Sequence, residues 1–197
     1  HGHAGHASVK TIGHGPTGMW GDIVDYVYAE GTDEEFCYAD ALLSSVDRLK
    51  NGTTSGDTYF GGGNMKMRTN KPVYADNPCD AVTQVGIREF IAVGPSNPPY
   101  PRKYVSWSSG AMESQMVNFD QYLKTSEEII NNWHDKGSGR IQVSIISPTI
   151  NPSRPPYKEM SVRDIKDQAK RARELAYKYE LIFPQDGPAT GTVEFEH

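Results

Sequence analysis

The stretch that decides the fold is TDEEFCYADALLSSVDRLKNGTTSGDTYF, residues 32–60. Thr32 or Asp33 can cap a helix here, and Gly52 ends it. Apolar residues follow at helical spacing, at Phe36, Ala39, Leu42, Leu43, Val46 and Leu49. β-branched and aromatic residues come directly after the glycine. The segment therefore predicts an amphipathic helix that leads with almost no loop into a strand.

The same order of helix and strand repeats along the chain. Asn77 is a candidate N-cap, with Pro78 at the first helical position. Further helices are predicted over 77–86, 118–137 and 161–180, and further strands over 88–94, 141–147 and 181–184. Strands that alternate with helices form parallel sheets with right-handed crossovers, so the predicted class is α/β.

The predicted loops are long after the strands and nearly absent after the helices. Residues 95–113, rich in proline, serine and tyrosine, are expected to form such a loop. Elaborate loops on one side of a parallel sheet are typical of a carboxyl edge that carries the chemistry. We therefore expect function in the loops after Phe60, Gly94, Ser147 and Pro184 and around the start of the chain.

Composition narrows the class of protein. The 197 residues suffice for one core and are few for two. Twenty Lys and Arg against 25 Asp and Glu give a net charge of −5, and the basic residues are scattered, so nucleic acid is not an expected partner. No apolar run reaches the length of a membrane helix. Cys37 and Cys79 lie in predicted helices, which favours a reducing, cytoplasmic location.

Four of the six histidines lie within the first 14 residues, HGHAGHASVKTIGH. His1 and His3 alternate, so on a strand both imidazoles point to one face and can chelate one divalent ion. Two other interpretations stay open. The cluster can be a purification tag or disordered tail, or His1 can be a mature first residue that binds copper through its amine and ring. The α/β pattern argues against a secreted copper enzyme.

Several of these features together resemble the amidohydrolase superfamily, specifically its cytosine-deaminase and chlorohydrolase branch. They are the H-x-H start, the loop bearing Trp20, the acidic helix start and the LxxxxRLKxGTT pattern over 43–54. The resemblance continues through residues 143–183. It implies a (β/α)₈ TIM barrel, of which residues 1–197 form one partial domain with about the first half of the strands. The domain would start at the first-strand motif and end after about strand five, as a piece of a longer protein.

The resemblance also implies a metal site. His1 and His3 match the first two ligands of a single divalent ion, zinc or iron. The fourth strand ends at Ser147 without a lysine, which agrees with one metal rather than a carbamate-bridged pair. Since two ligands hold such an ion poorly, the chain by itself is expected to be a poor catalyst.

The fifth strand departs from the family pattern, because Gln185 and Asp186 stand where a histidine is usual. Asp186 is a candidate metal ligand or proton carrier, although an Asp-Gly turn is the commoner explanation of such a residue. Gln185 and Trp20 are candidate substrate contacts, and Trp20 can instead be a packing anchor.

The function implied is hydrolysis of the C–N bond of an amide or amidine, or of a C–halogen bond, in a small cyclic substrate. A metal-activated water would attack, and a carboxylate would move the proton. The expected partner is that small molecule, with no nucleic acid and no membrane, and a homo-oligomer is compatible with the sequence. The alternative is a catalytically inactive barrel that binds a small molecule.

Overall fold

The computed structural model describes residues 2–3, 6–12, 20–59, 68–107, 110–146 and 160–184. Its helices are α1 (Trp20–Tyr26), a π-helix (Val27–Gly31), α2 (Glu34–Lys50), α3 (Val73–Val85), α4 (Phe119–Trp133), the short α5 (Lys136–Gly139) and α6 (Val162–Lys178). Its strands are β1 (Ser55–Tyr59), β2 (Arg88–Val93), β3 (Arg102–Ser106), β4 (Glu113–Val117) and β5 (Ile141–Ile145). The predicted α/β class is confirmed.

A three-stranded parallel sheet in the order β1-β2-β5 forms the centre of the fold. Gly2 adds to the other side of β1 through a parallel bridge to Thr58. The Gly2 amide donates to the Asp57 carbonyl at 2.8 Å, and the Tyr59 amide donates to the Gly2 carbonyl at 3.2 Å. The start of the chain and the three strands therefore run in one direction, and their carboxyl ends meet at one edge, here called the carboxyl edge.

Helices α3, α4 and α6 pack against the sheet, and α2 packs on α3. Helices α2, α4 and α6 begin where the sequence offers a cap. Asp33 accepts from the Phe36 amide at 2.8 Å, and Asn118 and Gln121 form a reciprocal capping box at the start of α4. The buried core between helices and sheet includes Ile87, Ile91, Ile129, Ile141, Ile145 and Ala172. The helix predicted from residues 32–52 is confirmed as α2, with Asp33 rather than Thr32 as its cap.

The predicted start of α3 is wrong. The helix begins at Val73, so Pro78 lies inside it rather than at its first position. Proline has no amide hydrogen and costs one helical bond there. Buried side chains on the first turns, Tyr74 and Ala75, outweigh that loss, and Asn77 donates to the Glu34 carbonyl at 3.0 Å instead of capping the helix.

Two further expectations differ from the structure. Residues 95–113 contain β3 and the start of β4, which pair antiparallel with Tyr104 opposite Gln115. Residues 181–184 are not a strand, although the Ile145 amide donates to the Ile182 carbonyl at 3.1 Å. Sequence analysis missed β3 because prolines cluster just before it. It predicted a strand at residues 181–184 because the run LIFP is apolar.

Both cysteines lie in helices, as expected. Cys37 in α2 and Cys79 in α3 are buried free thiols, and burial raises the pKa of Cys37 to about 12. Among the helices that the structure describes, none has both the length and the apolar character to cross a bilayer.

A buried polar group lies on one face of the sheet. Arg48 of α2 donates through Nη1 to Thr58 Oγ1 and to Glu89 Oε1, each at 2.6 Å. Two glycines make room for this guanidinium. A Cβ added at Gly2 would lie 2.6 Å from Arg48 Nη2, and one added at Gly56 would lie 2.6 Å from Nη1. A side chain added at either glycine would therefore have to displace the guanidinium.

We expect Gly56→Ala to lower the free energy of unfolding by about 1–3 kcal/mol, because the new methyl group must displace a hydrogen-bonded arginine. Urea unfolding measures the change. Gly21→Ala in α1 is the matched control: its Cβ meets nothing within 4 Å, so stability should stay equal or rise by up to about 1 kcal/mol. Equal stability of Gly56→Ala and the unchanged protein would contradict this account.

Candidate functional site

His3 lies at the carboxyl edge because Gly2 before it pairs with β1. Its ring centroid is 5.4 Å from that of Tyr59, the last residue of β1. Tyr59 is fully buried. The structure thus places His3 at the edge where the sequence predicts the chemistry. His1 lies outside the described residues, so the pairing of His1 with His3 stays a prediction.

His6 extends this site through a tight turn. Its amide donates to the His3 carbonyl at 3.0 Å, and the two imidazoles stack with centroids 5.1 Å apart and planes 17° from parallel. His6 then contacts Trp20 edge-on at 5.0 Å and Tyr28 at 5.6 Å. We call the five rings of His3, His6, Trp20, Tyr28 and Tyr59 the histidine group. Sequence analysis missed His6 as a member, although its spacing of three from His3 fits a turn.

Imidazole nitrogen is a suitable ligand for zinc or iron, so the donor type of His3 fits the implied ion. The ion lies near the plane of each imidazole that binds it. The stacked rings of His3 and His6 therefore do not converge on one ion, and His1 stays the expected partner ligand. Within the described ranges, no three His, Cys, Asp or Glu side chains are grouped as a metal site.

Trp20 is placed by packing and by one hydrogen bond. Its Nε1 donates to the Val9 carbonyl at 3.2 Å, and its ring meets the edge of His6. The structure thus supports its role as an anchor for the turn after His3, and contact with a substrate remains a prediction. Gln185 and Asp186 lie outside the described residues.

Asp40 of α2 binds two segments that carry the histidine group. It is 2% exposed, accepts from the Ser8 amide at 2.6 Å and accepts from the Tyr28 hydroxyl at 3.4 Å. Burial raises the pKa of Asp40. Burial, together with the charge of Asp40, also raises the pKa of Tyr28, so that this hydroxyl stays a donor. A buried carboxylate thereby holds both the turn and the π-helix that carry the rings.

Asp40 predicts a pH dependence of stability. An aspartate in an unfolded chain has a pKa of about 3.9, and the pKa of Asp40 is raised in the folded chain. The folded state therefore binds the proton more tightly. Asp40 therefore contributes fully to the free energy of unfolding below about pH 4, and this contribution is lost as the pH rises through the raised pKa. We expect Asp40→Asn to flatten this part of the stability profile.

Urea unfolding between pH 4 and pH 8 measures the profile. Asp47→Asn, an exposed change on the same helix, is the control and should keep the slope of the unchanged protein. A slope in Asp40→Asn equal to that of the unchanged protein would show that Asp40 titrates alike in both states.

The described sheet and its covering helices define an α/β fold with three parallel strands. A comparison with solved structures finds a similar fold in part of a guanine deaminase from C. acetobutylicum, crystallised with guanine bound in its active site. The TM-score is 0.59 at 18% sequence identity, covering 94% of this chain and 37% of the deaminase chain. This chain thus spans just over a third of the length of that enzyme. No protein-family model and no curated protein sequence matches the chain.

Proposed function

We propose that this chain is part of a metal-dependent hydrolase that acts on C–N bonds of a small cyclic molecule, with C–halogen bonds as the second substrate class. The observation that carries the proposal is the position of His3 at the carboxyl edge of a parallel sheet. Parallel α/β folds hold their chemistry at this edge. The similarity in fold to a guanine deaminase supports a deaminase-type reaction.

The proposed architecture is a partial (β/α)₈ barrel in residues 1–197. The pairing of Gly2 with β1, followed by β2 and β5, gives four neighbouring parallel segments in chain order. Consecutive parallel strands with helical crossovers are the repeat from which barrels are built. A complete barrel closes with eight strands and about 250 residues, so further strands would come from a longer protein.

His1 and His3 would hold one divalent ion, zinc or iron. When bound, such an ion lowers the pKa of a coordinated water toward about 7. The rings of Tyr59 and His6 restrict the orientation of the His3 imidazole. Trp20 would form an apolar wall for a flat substrate, and a carboxylate, for which Asp186 is our candidate, would carry the proton to the leaving group.

Zinc binding to residues 1–197 tests the metal site. Because His3 supplies one of the proposed imidazoles, we expect a single zinc ion to bind in calorimetry and His3→Ala to weaken binding about tenfold or more. His134→Gln is the matched control. His134 caps the end of α4 and accepts from the Val143 amide at 3.2 Å, a bond that glutamine can replace.

Zinc affinity unchanged by His3→Ala would contradict the proposed site. Release of ammonia from amino-substituted purines and pyrimidines, and of chloride from their chloro-substituted analogues, measured on a longer natural chain that contains this segment, then tests the reaction class. Zinc bound through His3 with no ammonia or halide released would favour the inactive small-molecule-binding barrel.

A further inference from the structure

Helix α2 exposes most of its large aliphatic side chains. Leu43 is 50% exposed, Val46 40% and Leu49 43%. The residues that the helix buries are small or polar: Cys37, Asp40, Ala41, Ser44 and Ser45. The apolar pattern that predicts this helix from the sequence is thus turned largely away from the core. We call its outer members the leucine stripe: Ala39, Leu42, Leu43, Val46 and Leu49.

Two polar contacts on the inner side of α2 account for this orientation. Asp40 accepts from the Ser8 amide at 2.6 Å, and Arg48 donates to Glu89 of β2 at 2.6 Å. Both side chains therefore occupy the side of the helix that faces the sheet. An α-helix turns by about 100° per residue, so Val46 lies about 200° around the helix from Arg48. The leucine stripe thus faces away from the sheet.

The neighbouring helix α3 leaves the leucine stripe exposed. It lies beside α2 and meets it through Tyr38, whose hydroxyl donates to Gln84, and through Asn77, which donates to the Glu34 carbonyl at 3.0 Å. A further helix that continued the layer around the sheet would lie beside α2 on its other flank, not over its outer face. Contiguous exposed apolar surface marks a site of interaction. The stripe therefore suits a partner outside this layer of helices.

Opposite charges flank the leucine stripe. Glu35 lies at its start and Lys50 at its end, and both side chains are exposed. With about 100° per residue, these two residues and the stripe share one face of α2 about 120° wide. The face thus offers an acidic end, an apolar middle and a basic end.

This face is complementary to a second copy of itself that runs in the opposite direction. A register with Ala39 of one helix opposite Val46 of the other brings a small side chain against a branched one. The same register sets Glu35 of each copy opposite Lys50 of the other. A parallel pairing would instead set like charges together. A surface that matches its own antiparallel copy is what a two-fold dimer requires.

We propose that the leucine stripe is the contact between two copies of this chain, which pair α2 with α2 antiparallel about a two-fold axis. A helix of 17 residues is about 25 Å long. A contact made by one such helix from each copy is small for a specific interface, so the dimer is reversible, with a dissociation constant of about 10–100 µM. No metal or substrate takes part, so the dimer stands or fails separately from the proposed hydrolase site.

Sedimentation equilibrium on residues 1–197 in a metal chelator, from well below to well above that constant, tests the proposal. We expect the mass to rise with concentration from 21.8 kDa to twice that value. A mass that stays at 21.8 kDa at the highest concentration would overturn it.

Leu43→Glu locates the contact. Leu43 lies next to the proposed two-fold axis, so the variant brings two carboxylates together in an apolar interface and should weaken the dimer at least about tenfold. Because Leu43 is half exposed, urea unfolding of the monomer should change little. Val162→Glu makes a matched change at a valine of α6 that is 65% exposed and should leave the dimer unchanged. Equal weakening by both variants would contradict the proposed surface.

Exchange of the flanking charges tests the antiparallel register. Glu35→Lys and Lys50→Glu each set like charges opposite each other, so either change alone should weaken the dimer about three- to tenfold at low salt. The double variant sets opposite charges together again and should return the affinity to within about twofold. A double variant as weak as the single ones, or a dimer indifferent to all three, would overturn the proposal.

Discussion

The guanidinium of Arg48 joins the parts of the chain on which the sheet depends. It links α2 to β1 through Thr58 and to β2 through Glu89, and it fills the space left by the glycines at 2 and 56. Burial raises the pKa of Glu89 although Arg48 lowers it. The ion pair is only partly buried, since the Arg48 side chain is 19% exposed, and such a pair is weak evidence for net stability. We infer that its main effect here is to specify how helix, strands and chain start align.

This alignment determines what meets at the carboxyl edge. Because Gly2 pairs with β1, the ring of His3 packs against that of Tyr59, the last residue of the strand. Directly after β2, Gly94 has a φ of +138°, and an added Cβ would lie 3.3 Å from Ile146 Cγ2. The Gly94 carbonyl accepts from Thr69 Oγ1 at 2.7 Å. The end of β2 thus positions the segment that carries the buried Arg68.

Sequence reasoning found those parts of the structure that local pattern determines. The helices α2, α4 and α6 and the three parallel strands follow from periodicity and caps. The start of α3 was mispredicted from Pro78. The cost of a proline inside a helix can be read from the local sequence, whereas the burial of Tyr74, which outweighs it, depends on tertiary packing. Arg68 was not recognised, since nothing near it in sequence shows that three distant carbonyls and two rings surround it. His3 was found by motif, while its contacts with His6 and Tyr59 required coordinates.

The π-helix at Val27–Gly31 has a consequence for how this chain tolerates changes in length. Tyr28 presents its carbonyl oxygen to the buried Arg68 and its ring to His6, so one residue contacts both Arg68 and the histidine group. A π-helix closes its hydrogen bonds across one residue more than an α-helix. Deleting one residue there would restore an ordinary turn and rotate neighbouring side chains by about 100°. Loss of a single codon in this turn would therefore disturb the contacts of Tyr28 with Arg68 and with His6 at once.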